Sequence, residues 1–145
     1  MVLADIRKRA VASLIDYFLF IVFDSMFLLQ FGDYSTNEKG QLVIELSGFV
    51  SLVPLLIWMA TFPLMESFEG KTLGKKIMKI RVVREDGERL DFFKSFQRRV
   101  FDFVDFLLFG LPAIIISMNN KNRKRLGDWV ARTIVVEDYP DNRNG

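Results

Sequence analysis

Two apolar runs decide most of what this chain can fold into. Residues 10 to 31 and 46 to 65 are nearly continuous hydrophobic stretches of 22 and 20 residues, and about 20 residues of helix cross a hydrocarbon core of about 30 Å. A soluble helix of that length normally carries a polar face at 3.6-residue spacing, and neither run has one. The segment from 50 to 65, VSLVPLLIWMATFPLM, holds no charged residue. Its two prolines suit a membrane helix, where neighbouring groups take up the freed backbone carbonyls. Both runs are therefore expected to span a membrane as an antiparallel hairpin. The N-terminus is basic like a signal peptide, through Arg7, Lys8 and Arg9. The run that follows is too long for a cleaved apolar region, carries Asp16 and Asp24, and meets no small-x-small cleavage site before Gly32. It is expected to stay as the first helix.

Charge placement gives an orientation, because short cytoplasmic loops hold the excess of Lys and Arg. The connector from 32 to 45 sets Asp33, Glu38 and Glu45 against Lys39, whereas residues 66 to 99 carry ten basic and six acidic groups. The N-terminus and the connector from 66 to 97 are thus expected on the cytoplasmic side. A third membrane segment, about 98 to 118, has only 13 strongly apolar positions, FLLFGLPAIIISM from 106 to 118, and a Gly-Leu-Pro interruption. It reads as broken or re-entrant rather than a plain third span, which keeps the basic tail from 119 to 145 on the cytoplasmic side. One domain of 145 residues results, an all-α integral membrane protein.

The chain repeats itself weakly. T72LGKKIMKIRVV83 and R125LGDWVARTIVV136 align without a gap, and Arg9 precedes Asp16 by the same seven residues that separate Arg98 from Asp105. Each copy predicts a short amphipathic helix after Leu-Gly and then a brief β-branched strand, IRVV or TIVV, able to pair with the other.

With no Cys and no His, thiolate chemistry, zinc and haem are not expected, and no cofactor is predicted. Any cation would be a hard one met by oxygens, and any proton carrier Asp or Glu. Asp16 and Asp24 fall within the first helix, where a carboxylate costs about 2.5 to 3.5 kcal/mol unless it faces protein, water or a partner charge. Such groups mark ion or proton paths, or else knit helices together. Arg9 and Arg98 approach the membrane from one side, so pairs of Arg9 with Asp105 or Asp102, and of Arg98 with Asp16, are expected. Glu66 ends the second helix at the mouth of any cavity. Glu66 and Asp128 are further candidates for proton or cation binding, with Arg125 as a charge partner, although Asp128 also suits the start of a short helix as a cap. Gly-Lys-Thr at 70 to 72 lacks the upstream Gly of a phosphate-binding loop, since Met65 stands there. Lys75, Lys76, Lys79 and Arg81 are expected to form a cationic face against lipid headgroups. Interleaved Glu85, Asp86, Glu88 and Asp91 argue against nucleic acid.

Together these landmarks resemble the RDD family, small polytopic membrane proteins of bacteria named for one arginine and two aspartates. R9AVASLID16, Glu66 with G70KTLGKKIMKIRVV83, the stretch from Arg98 to Asp105, and R125LGDWVARTIVV136 are similar to its signatures. Lys71 and Arg132 depart from the usual Gln and Gly, and Asp24 and Asp102 lie outside the pattern. The resemblance implies a bacterial inner-membrane location and a role in transport, with cation and proton exchange suggested for some members. The expectation is a non-enzymatic antiporter working as a homo-oligomer, in which Asp16 and Asp105 exchange protons with a monovalent cation. The alternative is an accessory or scaffold protein binding lipid or a partner.

Overall fold

A computed structural model of the chain describes residues 2–107 and 124–138, with side chains described for 2–101 and 124–138. The third apolar segment beyond Leu107, with its expected break, lies outside the described residues, as does most of the tail. Helix α1, Ile6–Phe31, begins where the Asp5 side chain accepts from the Arg7 N–H at 3.3 Å. The connector from 32 to 45, for which the sequence predicts no secondary structure, is a hairpin of β1 (Asp33–Thr36) and β2 (Leu42–Glu45), closed by Asn37 and Gly40. Glu38 and Lys39 sit in its turn, where neither side chain needs a partner.

The second long helix, Gly48–Glu69, is a composite. A 3-10 turn, Gly48–Leu52, leads into α2 (Val53–Met59), a π-turn at Ala60–Leu64 and then α3 (Met65–Glu69). Pro63 lies inside the π-turn. Its missing N–H removes one rung of the ladder, and widening the turn is one way a helix absorbs that loss. The wider turn buries Phe62 fully, against Tyr17 and Phe20 of α1, Trp58 of α2, and the Arg99 guanidinium 5.0 Å from its ring centre.

Only 11% of the most apolar window in each long helix is buried. Leu14, Phe18, Met26, Leu55 and Leu56 all face outward. A soluble core helix of this length would be mostly covered. The fold is mostly helical, and both helices are long and apolar enough to cross a membrane.

The packed core lies at one end of this pair. It comprises α4 (Leu73–Ile77), β3 (Ile80–Arg84), α5 (Phe92–Leu107), α6 (Leu126–Val130) and β4 (Thr133–Glu137). β3 and β4 pair antiparallel as the repeat suggested, and Ala4, Ala12, Ile80, Val82, Leu90 and Val135 form the apolar centre. Residues 2 to 4 lie along the free edge of β4, where the Ala4 N–H donates to the Val135 carbonyl at 3.0 Å.

The register reveals more than the sequence did. Val82 faces Val135, its own counterpart when Thr72 is aligned with Arg125. An approximate two-fold axis therefore passes through that pair. On one side α4 packs on α1, and on the other α6 packs on α5. The residues ahead of each strand, Lys79 and Arg132, both adopt left-handed backbone, with φ of 54 and 52.

Gly70 closes α3 with φ 70, and its carbonyl accepts from the Val82 N–H at 2.7 Å. A Cβ there would collide with the Val82 carbonyl. Gly70→Ala should therefore lower stability in detergent by more than about 1 kcal/mol. Arg132→Gly should leave the thermal midpoint unchanged or raise it, because glycine relieves left-handed strain of about 1 kcal/mol. Equal losses from the two changes would contradict this account.

Candidate functional site: a buried ion network

The site grows from the close approach of α4 to α1. A Cβ on Gly74 would strike the Ala12 carbonyl, so only glycine lets the start of α4 sit on the helix backbone. That contact brings Asp16 to the N-terminus of α4. Its carboxylate accepts from the Thr72 hydroxyl and from the Gly74 N–H at 2.7 Å. Asp16 is thus a capping group supplied by another helix, where a carboxylate satisfies orphan N–H groups. Gly127, the counterpart of Gly74, approaches the Arg98 carbonyl of α5 just as tightly.

Two further carboxylates hold the centre. Glu66, fully buried at the end of the second helix, is met by Lys75 and, at 3.0 Å, by Arg98 Nη2 on one oxygen. On the other oxygen it meets Ser95 Oγ at 3.2 Å and Arg99 Nε at 3.2 Å. Ser95, Arg98 and Arg99 lie on one face of α5 because residues three and four apart are helix neighbours. Asp128 accepts from Arg9 Nη2, Arg98 Nη1 and the Arg125 N–H, the last at 3.0 Å. It therefore caps α6, as expected, and also joins α1 to α5. Burial alone would raise its pKa, yet Arg9 and Arg98 outweigh burial and hold it well below the usual carboxylate range.

Several expectations need correction. Lys75 does not face headgroups: it is 6% exposed and ion-paired with Glu66, because the Gly70 cap folds α4 back against α3. Burial pushes its pKa down to about 7, against the opposing pull of Glu66. Lys76 and Lys79 are exposed and Arg81 is on the surface, where Lys76 meets Glu69 at 2.6 Å and Arg81 meets Asp138 at 3.7 Å. The expected pairing of Arg98 with Asp16 is replaced by Arg98 with Glu66 and Asp128. Asp24 is half-buried on α1 and meets no ion pair among the described residues. The side chains of Asp102 and Asp105, and so their expected pairing with Arg9, lie outside the described residues. Ser95 and Thr72 escaped the sequence reading, and Arg99, which approaches the membrane beside Arg98, was given no partner there.

Arg9, Ser13, Lys75, Arg98, Arg99 and Arg125, with Val135 of β4, line a small cavity. Among the described residues no group of three or more acidic side chains is placed to hold a metal ion.

Glu66→Gln should cost about 3 to 5 kcal/mol, because it leaves buried cations short of their counter-charge. Chemical unfolding in detergent reads this directly, and a cost below 1 kcal/mol would contradict the burial assigned to Glu66. Above pH 7 the folded chain sheds the Lys75 proton that the unfolded chain keeps up to about 10.5. Stability should therefore rise with pH across that window, and Lys75→Met should flatten the rise.

No curated protein and no solved structure matches this chain. A family model does, that of the RDD family, over residues 3–132. That span takes in both long helices, the first half of the repeat, the second half as far as Arg132 and every carboxylate of the network, and the chain belongs to the RDD family.

Proposed function

We propose that this protein is a membrane ion-transport protein, working as a homo-oligomer in the bacterial inner membrane, whose exchanging element is the buried network around Glu66. The observation that carries the reading is Glu66 itself, fully buried with Lys75, Arg98 and Arg99 around it at the end of a candidate span. A buried ion network is often neutral or unfavourable for stability compared with apolar packing. In a membrane chain such groups are by default functional.

The chemistry centres on Lys75. Burial lowers its pKa to about 7, so its proton is exchangeable near neutral pH. A monovalent cation reaching Glu66 would take the place of that proton, one positive charge replacing one, while Lys75 stays as a neutral amine. The carboxylates first expected to exchange were Asp16 and Asp105. Asp16 is occupied in capping α4, which favours Glu66 for the role. Positive groups at Arg7, Lys8 and Arg9 argue for a cytoplasmic N-terminus, so the network would open toward the cytoplasm. Two or three helices enclose no pathway, and the uncovered faces of α1 and α2 offer surface for further copies and for lipid.

One observation favours the second reading, an accessory or scaffold protein. Asp16, Glu66 and Asp128 each meet at least two donors, which is what a purely architectural network requires.

Liposomes holding a pH gradient and reconstituted protein separate the two. Sodium, potassium or lithium should collapse the gradient with wild type, and Lys75→Met should slow the collapse at least about tenfold, about 1.4 kcal/mol in barrier, while Asp16→Asn acts mainly through stability. No collapse with any cation refutes exchange and leaves the scaffold reading.

A further inference from the structure

The two short helices of the repeat carry outward faces that the buried network does not use. Helix α4 packs on α1 at the level of Ala12 and Asp16, both inside the apolar run that begins at residue 10. At that level α1 itself turns Val11 and Leu14 outward, and α4 adds Leu73 and Ile77, the latter 62% exposed. Helix α6 packs on α5 at Arg98, beside the exposed Val100, and shows Trp129, 65% exposed, and Val130. In the ungapped alignment of the repeat Ile77 corresponds to Val130, and Lys79 to Arg132. Apolar residues scattered singly on a surface need no explanation, but the same ones recurring at related positions of two helices do. The approximate axis through Val82 and Val135 relates the two helices, so a bilayer lying across that axis meets both at one depth.

Charge identifies the surface they meet. Each helix is followed by a basic residue in left-handed backbone, Lys79 and Arg132, both exposed. Glycine adopts that backbone without strain, and strain kept at both positions points to a use for the side chain. The nearest acidic groups along the backbone are already matched elsewhere. Asp138, whose N–H donates to the Lys79 carbonyl, pairs with Lys71 at 2.5 Å. Glu85, whose N–H donates to the Arg132 carbonyl, pairs with Lys124. Neither Lys79 nor Arg132 joins an ion pair among the described residues.

We propose that α4 and α6 form a two-part footprint in the interfacial layer of a bilayer that contains anionic lipid. Leu73, Ile77, Trp129 and Val130 enter the boundary of the acyl chains, where tryptophan is enriched, and Lys79 and Arg132 meet lipid phosphates. Lipid fits these faces better than a protein does, because each is a single short helix and α4 adjoins outward apolar residues of a candidate span. The footprint rests on α1 crossing a membrane and is independent of ion exchange.

The test uses the full chain in vesicles of phosphatidylcholine and phosphatidylglycerol. The chain has no cysteine, so Phe18→Cys on α1, Ile77→Cys on α4 and Val130→Cys on α6, all at exposed positions, each carry one nitroxide label. All three labels should meet oxygen more readily than a water-soluble nickel chelate, those at 77 and 130 lying shallower than the one at 18. If 77 and 130 favour the chelate while 18 favours oxygen, the footprint is overturned and the span stands. If all three favour the chelate, both fall. Poor access of either reagent to 77 and 130 would mean a protein cover and would overturn the footprint as well. Thermal unfolding in mixed micelles reads the charge: phosphatidylglycerol should raise the midpoint saturably and more than phosphatidylcholine does. Lys79→Gly combined with Arg132→Gly should keep its midpoint in phosphatidylcholine and lose about thirtyfold in apparent phosphatidylglycerol affinity, the share of two basic groups. An equal response to both lipids, or one that the double variant leaves untouched, would overturn the proposal.

Discussion

The structure depends on two buried carboxylates shared among cations from three helices. Asp128 joins Arg9 of α1 to Arg98 of α5, and Glu66 joins Lys75 of α4 to Arg98 and Arg99 of α5. Arg98 takes part in both sets, so the carboxylates form one network and not two. Each group is costly to bury alone and tolerable only with its partners in place. This makes assembly of the core all-or-none: α1, the end of the second helix, α4, α5 and α6 must come together for any one charge to be satisfied. The remaining surface of the long helices is apolar and uncovered, and it adds little to specificity because lipid tails are as apolar as the side chains themselves. Polar geometry at one end therefore does what a hydrophobic core does in water.

The two-fold relation explains why the network crosses between halves. α1, α4 and β3 correspond to α5, α6 and β4, with Val82 and Val135 facing each other on the axis. Lys75 and Asp128 occupy the same position in the two repeats, yet one is a cation and the other an anion. That inversion gives one half a cation, paired with Glu66, and the other a carboxylate, paired with Arg9 and Arg98. Arg9 and Arg98, the counterparts on α1 and α5, both reach Asp128. The hydrogen-bonded strands hold the halves in register, and the ion pairs hold the helices above them.

The long-range apolar order was legible in the chain itself. Uninterrupted runs with no polar face specify long lipid-competent helices, and the two Leu-Gly repeats specify two short helices, each followed by a strand that finds its twin. Charge partnership was not legible, because spacing along a helix says which residues share a face and not which other helix that face meets. Lys75 is the clearest instance. In sequence it belongs to a basic run that looks solvated, yet the left-handed Gly70 turns the chain back and buries it against Glu66. Asp16 read as an ion-binding carboxylate in a membrane helix, and the detail that makes it a cap, the absent Cβ at Gly74, acts through the fold. The hairpin of β1 and β2 was missed for a different reason: each strand has only four residues, β1 is polar and exposed, and β2 is an unbroken apolar run with no alternation to announce it.

The most direct test of this account is a double-mutant cycle on Arg9 and Asp128, the pair that ties the first helix to the last. Arg9→Met, Asp128→Asn and the double variant would be unfolded in detergent beside the wild type. A coupling energy of about 2 kcal/mol or more, with the double variant little worse than either single change, is the predicted result for a desolvated pair. Additive losses, with coupling near zero, would show the two groups acting independently and would contradict a core held together by shared charge.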